Sequence, residues 1–293
     1  SFAIAFVYVR ICRLYPGKSI VEIAGVLLGS WGGRLVALAY AWYSLHLGAL
    51  VLRIFVDFIS TVALPRTPLL VISACMMGIV LWAVYAGIEV IARCAIVIGL
   101  LVVVEGAASW LFMSKDFRFV NLFPILDRGW LPVFEGMTEL VGFPFGETVL
   151  FAMILPHVSK LGQANRTVMR ALLLGGAVLL LGNVRNTLVL GNLATQMVFP
   201  TYTAYQYISI GDFLERVEPL AIVTWVMGGF VKICVCLYVS ARAIAAMLPS
   251  GRYRPLVAPL AILLIELSYI VYKTGTETVE FSLYVWPWYS MPV

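Results

Sequence analysis

Charge is scarce in this chain. Aspartate, glutamate, lysine and arginine make up 12% of its 293 residues, while 62% are hydrophobic. Soluble domains carry about 25% charged and about 45–50% apolar residues. A soluble globule with so little polar covering would leave much apolar surface in water. This excludes a soluble enzyme, a disordered chain and a secreted disulfide scaffold, and leaves an all-α, polytopic membrane protein. Histidine is scarcer still: His46 and His157 are the two in the sequence. The five cysteines, Cys12, Cys75, Cys94, Cys234 and Cys236, all stand in apolar runs. Cys234 and Cys236 form a C-x-C with no second pair or histidine nearby, whereas a zinc site takes four N or S ligands at recognisable spacing. The cysteines therefore read as small packing residues, and neither metal nor cofactor is expected. No H-E-x-x-H, P-loop or G-x-S-x-G occurs, which argues against an enzyme. No basic cluster is dense enough to track phosphates, so the net charge of +5 does not indicate nucleic acid.

What the chain does have is long apolar runs. A spanning helix needs about 20 mainly apolar residues. Nine segments qualify: Phe2–Leu14 (incomplete), Trp31–Leu52, Pro68–Tyr85, Ile88–Phe112, Leu131–Val158, Arg166–Leu190, Glu218–Met247, Pro255–Tyr272 and Glu280–Val293 (also incomplete). Basic loops follow the odd-numbered ones: Arg10, Arg13 and Lys18; Lys160, Arg166 and Arg170; Arg242, Arg252 and Arg254. Cytoplasmic loops collect lysine and arginine, so odd segments run from outside to inside. The loop after the fourth segment, with Lys115, Arg118 and Arg128 against Asp116 and Asp127, fits this pattern less well. Ser1 then lies toward the outside, which implies a further span upstream if the intact N-terminus is cytoplasmic. Between the first two segments, Ser19 and Glu22 form a capping box that should open a short interfacial helix over Ile20–Leu28. Gly25, Gly29 and Gly33 repeat every four residues, a spacing that permits close backbone approach. A second short helix, external, is expected at Ile208–Phe213.

The fifth segment is interrupted by Gly142-Phe143-Pro144-Phe145-Gly146-Glu147. Proline removes a helix hydrogen bond and clashes with the preceding turn, and the flanking glycines loosen the backbone further. Pro144 lies roughly 20 Å from Leu131 at about 1.5 Å per residue, near mid-bilayer. Irregular backbone at that depth is buried in protein or lines a cavity, and such breaks form substrate sites in secondary transporters. Glu147 follows in the first turn of the inner half-helix, where it can bind a ligand ammonium, hold a proton or pair with a lysine. Lys232, Glu266 and Arg185 are the other ionisable groups at depth, and a structural Lys232–Glu266 pair is one explanation for two of them. The stretches Tyr40–Tyr43 and Trp286–Tyr289 read as interface belts or packing, with Tyr43 at site depth.

The chain resembles the B-subunit family of spore germinant receptors (the GerAB type), a branch of the amino acid–polyamine–organocation superfamily. Five phrases in order carry the resemblance: Tyr15–Ile23, Gly87–Arg93, Asn121–Leu126, Pro144–Glu147 and Ile208–Arg216. It implies a LeuT-like fold of ten spanning helices in two inverted five-helix repeats, the first helix of each broken at the ligand site. On that scheme residues 1–293 are a single transmembrane domain holding helices two to ten, truncated at both ends. The implied function is binding of a small germinant, such as an amino acid, in the spore inner membrane. The implied partners are membrane lipid and the A and C subunits of the receptor, with no nucleic acid. The alternative is a secondary amino-acid transporter (a permease), and a third reading is an ion or water conduit. Carried over by position, Gly142, Phe143, Pro144, Phe145, Gly146 and Glu147 would line the germinant pocket, joined by Tyr43 and Thr224. Lys232 would stand where related sodium-coupled carriers hold a cation.

Overall fold

The computed structural model describes residues 2–127, 129–206 and 218–290. The expected helix at Ile208–Phe213 and the phrase Ile208–Arg216 lie outside the described residues. Among those described, every regular element is helical. In chain order they are α1 (Phe2–Leu14), α2 (Ile20–Val62), α3 (Leu69–Ala86), α4 (Ile88–Phe112), α5 (Leu131–Leu140), α6 (Ala164–Leu190), α7 (Pro200–Gln206), α8 (Glu218–Met247), α9 (Arg254–Ile270), α10 (Gly275–Glu280) and α11 (Trp286–Ser290). Five stretches among the described residues are long and apolar enough to cross a membrane: Ile20–Val62, Leu69–Ala86, Ile88–Phe112, Leu161–Thr195 and Glu218–Met247. The protein is a polytopic helical membrane protein. Broad apolar faces match this, as on α4, where Ile96, Leu100, Val104 and Leu111 are all exposed.

Two elements depart from the expected boundaries, each for a local reason. The second segment does not end at Leu52, because α2 runs on to Val62. Arg53 is no barrier, since its Nε donates to Asp57 Oδ2 at 2.9 Å one turn later and its Nη2 donates to the Lys273 carbonyl at 3.2 Å. At the other end the expected short helix is present, Ile20–Leu28 being set off from the rest of α2 by a kink at Gly29. Ser19 caps it, with the Glu22 N–H donating to Ser19 Oγ at 3.4 Å and the Ser19 N–H donating to Glu22 Oε2 at 2.6 Å. The run is broken only at Gly29, whose φ of 78° is a left-handed conformation that favours glycine. The chain folds back there so closely that a Cβ on Gly33 would lie 2.7 Å from Gly25 Cα. The ninth segment is helical from Gly275 onward, earlier than expected, but not uniform. It divides into α10, a wide π-type turn over Phe281–Val285, and α11. Pro287 has no N–H to return to the preceding turn, and the helix widens ahead of it.

The described residues fall into two compact units. The first draws on Ser1–Ala92, Val133–Leu172 and Gly229–Val293. Its centre is α2, packed against α3 and α9. Gly48 makes this possible: a Cβ there would meet Leu264 Cδ1 at 2.8 Å and Cys236 Cβ at 3.1 Å. The second unit draws on Arg93–Pro132 and Leu173–Gly228, around a small core of Met113, Leu190, Ala204, Tyr205 and Ala221. There the Arg118 N–H and the Asn121 side-chain amide both donate to the Leu188 carbonyl at 3.0 Å, tying the loop after α4 to the end of α6.

Candidate functional site

The fifth segment is helical to Leu140 and then loses its regularity. Val141–Phe145 is a wide turn in which Phe143 is extended, with φ −142° and ψ 119°. The Phe143–Pro144 peptide bond is cis. Both glycines of the motif serve the break. Gly142 is buried against the C-terminal segment, where a Cβ would lie 2.5 Å from Pro287 Cα. A Cβ on Gly146 would collide with the Val141 carbonyl oxygen. Beyond the turn, Gly146–Met153 continues as a 3-10 helix. Eight residues is long for this form, which rarely exceeds about 3–4. Its three-residue period explains the choice: Glu147, Leu150 and Met153 share one face, and all three are buried. Ala152, the other buried residue of the stretch, packs on α1, where Cys12 Sγ donates to its carbonyl at 3.8 Å.

Glu147 is therefore drawn inward at the start of this stretch, 8% exposed. Its Oε2 pairs with Lys232 Nζ of α8 at 2.6 Å. The same ammonium stands 3.9 Å from the centroid of the Phe143 ring, so the extended residue of the break also contacts the cation. This corrects one expectation, because the partner of Lys232 is Glu147 and not Glu266. Glu266 is exposed on α9, about 6 Å from the end of that helix at Ile270, and not at the middle of a span. Glu147 Oε1 is closed to solvent and has no hydrogen-bond partner among the described residues.

Tyr43 belongs to the same unit, is 2% exposed and lies within electrostatic range of Glu147. Its ring stacks on Trp286 with centroids 5.4 Å apart. Phe145 packs on the far side of the break, against the α1 cluster of Ala5, Tyr8, Val9 and Cys12. Thr224 lies in the second unit, where its hydroxyl donates back to the Leu220 and Ala221 carbonyls at 3.0 and 3.2 Å. A cluster the sequence reading passed over surrounds His46. Tyr272 Oη lies 2.8 Å from its Nε2 and Tyr289 Oη 3.2 Å from its Nδ1, and Trp42 Nε1 donates to Tyr289. The aromatic stretches Tyr40–Tyr43 and Trp286–Tyr289 thus pack against each other. The four-residue spacing of Trp42 and His46 was the available signal, since it places both on one helix face.

In the second unit, Arg185 is buried, hydrogen-bonded to neutral groups and within electrostatic range of Glu105. Its Nη1 donates to Ser109 Oγ at 2.5 Å and to Tyr205 Oη at 3.5 Å, and its Nε and Nη2 donate to Asn186 Oδ1 at 3.3 and 2.9 Å. The guanidinium lies 5.1 Å from the Tyr205 ring centroid. Among the described residues no group of three His, Cys, Asp or Glu converges on a point.

A polytopic helical membrane protein with an ion-paired carboxylate at a broken helix is the class these features define. Within it, residues 1–276 match the family described as Spore germination protein, and the chain belongs to that family. It is 28% identical to Spore germination protein KB of Bacillus subtilis (strain 168) over 288 residues, which are 97% of this chain and 77% of that protein. It is 24% identical to Spore germination protein YndE of the same organism over 243 residues, 80% of this chain and 65% of that one. Spore germination protein A2, also of Bacillus subtilis (strain 168), is 24% identical over 255 residues, 82% of this chain and 67% of that one. The chain thus spans about two thirds to three quarters of the length of these relatives. No solved structure matches it. The protein is a germination-related membrane protein.

Proposed function

We propose that this chain is the membrane subunit of a spore germinant receptor, seated in the spore inner membrane, and that it binds a small germinant at the break in its fifth segment. The observation that carries the reading is Glu147, buried beside irregular backbone with one oxygen on Lys232 and the other unpaired. A buried polar atom without a partner costs about 1–3 kcal/mol, and a ligand ammonium on Oε1 removes that cost. An amino acid fits this chemistry, since Lys232 offers its carboxylate a positive charge. Gly142, Phe143, Pro144, Phe145, Gly146 and Glu147 form the proposed site, with Tyr43 of the same unit as an outlying contributor.

Lys232 bears on the choice between receptor and secondary amino-acid transporter. An ammonium fixed to α8 supplies a positive charge that never leaves, whereas a coupling ion must come and go. This favours sensing over ion-coupled transport. Binding then shifts the balance between two states of the receptor and passes the change to the A and C subunits. A ligand can do so only through its differential affinity for the two states. Spores carrying Glu147→Gln are expected to respond weakly to germinant while the chain still reaches the membrane at normal abundance. Unchanged germinant sensitivity removes Glu147 from the site. Labelled amino-acid flux into proteoliposomes separates the two functions: binding without flux fits the receptor, and saturable uptake establishes the transporter.

A further inference from the structure

Arg10, Arg13, Arg166 and Arg170 follow the positive-inside pattern, but their arrangement does more than orient the chain. In the first unit α1 packs on the start of α6, with Val9 and Cys12 in one core with Ala164 and Leu172. A cleft of about 300 Å³ opens beside this contact, lined by Phe6, Arg10, Arg13, Leu14 and Asn165. Phe6, Arg10, Arg13 and Leu14 recur at the spacing of a single helix face. A second depression of about 240 Å³ adjoins it, lined by Asn165, Arg166, Met169 and Arg170. Asn165 is common to both. Neither cleft is lined by a carboxylate, and among the described residues none of the four arginines forms an ion pair.

Two further observations bear on what fills this surface. Asn165 Oδ1 is closed to solvent and has no partner among the described residues, so it calls for a donor. Phe6 and Leu14 leave apolar surface exposed at the lip of the cleft, with Val7 beside them on α1. By the charge pattern of the loops, all of this lies at the cytoplasmic edge of the bilayer. Arginines match phosphate oxygens with paired N–H donors, and basic pockets between membrane helices on the cytoplasmic side take anionic headgroups.

We propose that the cleft between α1 and α6 binds a phosphate group that carries a hydroxyl neighbour. The arginines hold the phosphate oxygens, Asn165 Oδ1 accepts from the hydroxyl, and the exposed apolar lip fits the chains of an anionic phospholipid. The test uses the full chain purified from mixed phosphatidylglycerol and phosphatidylcholine, with retained lipid counted by mass spectrometry. The wild-type chain retains phosphatidylglycerol in excess. Arg13→Gln with Arg166→Gln lowers that retention about tenfold or more, at about 1 kcal/mol per arginine near the surface. Removing arginines also disturbs insertion, so Asn165→Leu, which keeps every charge, provides the second variant and lowers retention in the same direction. Loss of the bound lipid to millimolar inorganic phosphate identifies free phosphate as the occupant, and persistence of the lipid identifies the headgroup. Retention that is equal for the two lipids, or equal in wild type and both variants, overturns the proposal.

Discussion

The two units bury charge in opposite ways. In the second unit Arg185 hydrogen-bonds to neutral acceptors, with Glu105 within electrostatic range, and each of its three nitrogens has a partner in Ser109, Asn186 or Tyr205. Asn186 passes the network on to Thr201 at 2.9 Å. A cation satisfied in this way binds α4, α6 and α7 together and leaves little for a ligand to gain. In the first unit the carboxylate of Glu147 meets a full opposite charge, yet one of its oxygens is left without a partner. Lys232 is only partly enclosed, its side chain 27% exposed. The regularity of the backbone follows the same division. Arg185 sits on an unbroken helix, whereas Glu147 follows a turn that cannot be α-helical. Satisfied polar groups on regular backbone make structure, and an unsatisfied one on irregular backbone is where a small molecule has something to add.

Substitutions can break this comparison from either side. The largest effect is expected at Arg185. Arg185→Ala removes hydrogen bonds to a charged group worth about 1.5–3 kcal/mol each and strands Ser109, Asn186 and Tyr205, so the chain should lose roughly 3 kcal/mol or more of stability. Thermal unfolding in lipid nanodiscs reads this directly, and an unchanged midpoint would mean that the network is not structural. Gly142→Ala is intermediate. Its Cβ meets backbone at Pro287, and forcing atoms into a closed contact costs about 1–3 kcal/mol. Faster proteolysis near α11, with α4 and α6 still protected, is the expected signature. Tyr289→Phe is the smallest. It removes the hydroxyl shared by His46 and Trp42 at a cost of about 0.5–1.5 kcal/mol. A small drop in unfolding temperature without loss of germinant response fits that role, while a lost response would place the His46 cluster in the site.

Much of this fold was legible in the sequence where apolar length decides the outcome. Ile88–Phe112 is a helix with the boundaries its apolar run describes, and the helix whose described residues begin at Glu218 ends at Met247 as its apolar run does. The cap at Ser19 and the break around Pro144 were legible because serine, proline and glycine act on the backbone locally. Partner choice was not. Glu147 and Lys232 are 85 positions apart, and nothing in either neighbourhood favours their pairing over Lys232 with Glu266. The extension of α2 past Arg53 depends on Asp57 and on the Lys273 carbonyl, which hydropathy treats as separate events. The wide turn over Phe281–Val285 was hidden because Phe281, Leu283 and Val285 keep the segment apolar throughout. Of the candidate site, the backbone irregularity was visible in the sequence, but the contact of Lys232 with the Phe143 ring and the packing of Gly142 on Pro287 required the third dimension.

The central claim is that Glu147 at the broken helix is the point of ligand contact. Equilibrium binding of a panel of amino acids to the intact purified protein tests it most directly, comparing wild type with Glu147→Gln and with Ser109→Ala from the Arg185 network. The account predicts saturable binding of at least one amino acid, weakened about tenfold or more by Glu147→Gln, in line with a charged hydrogen bond. Ser109→Ala should leave the affinity unchanged. Equal affinity in wild type and Glu147→Gln, or a loss confined to Ser109→Ala, would contradict it.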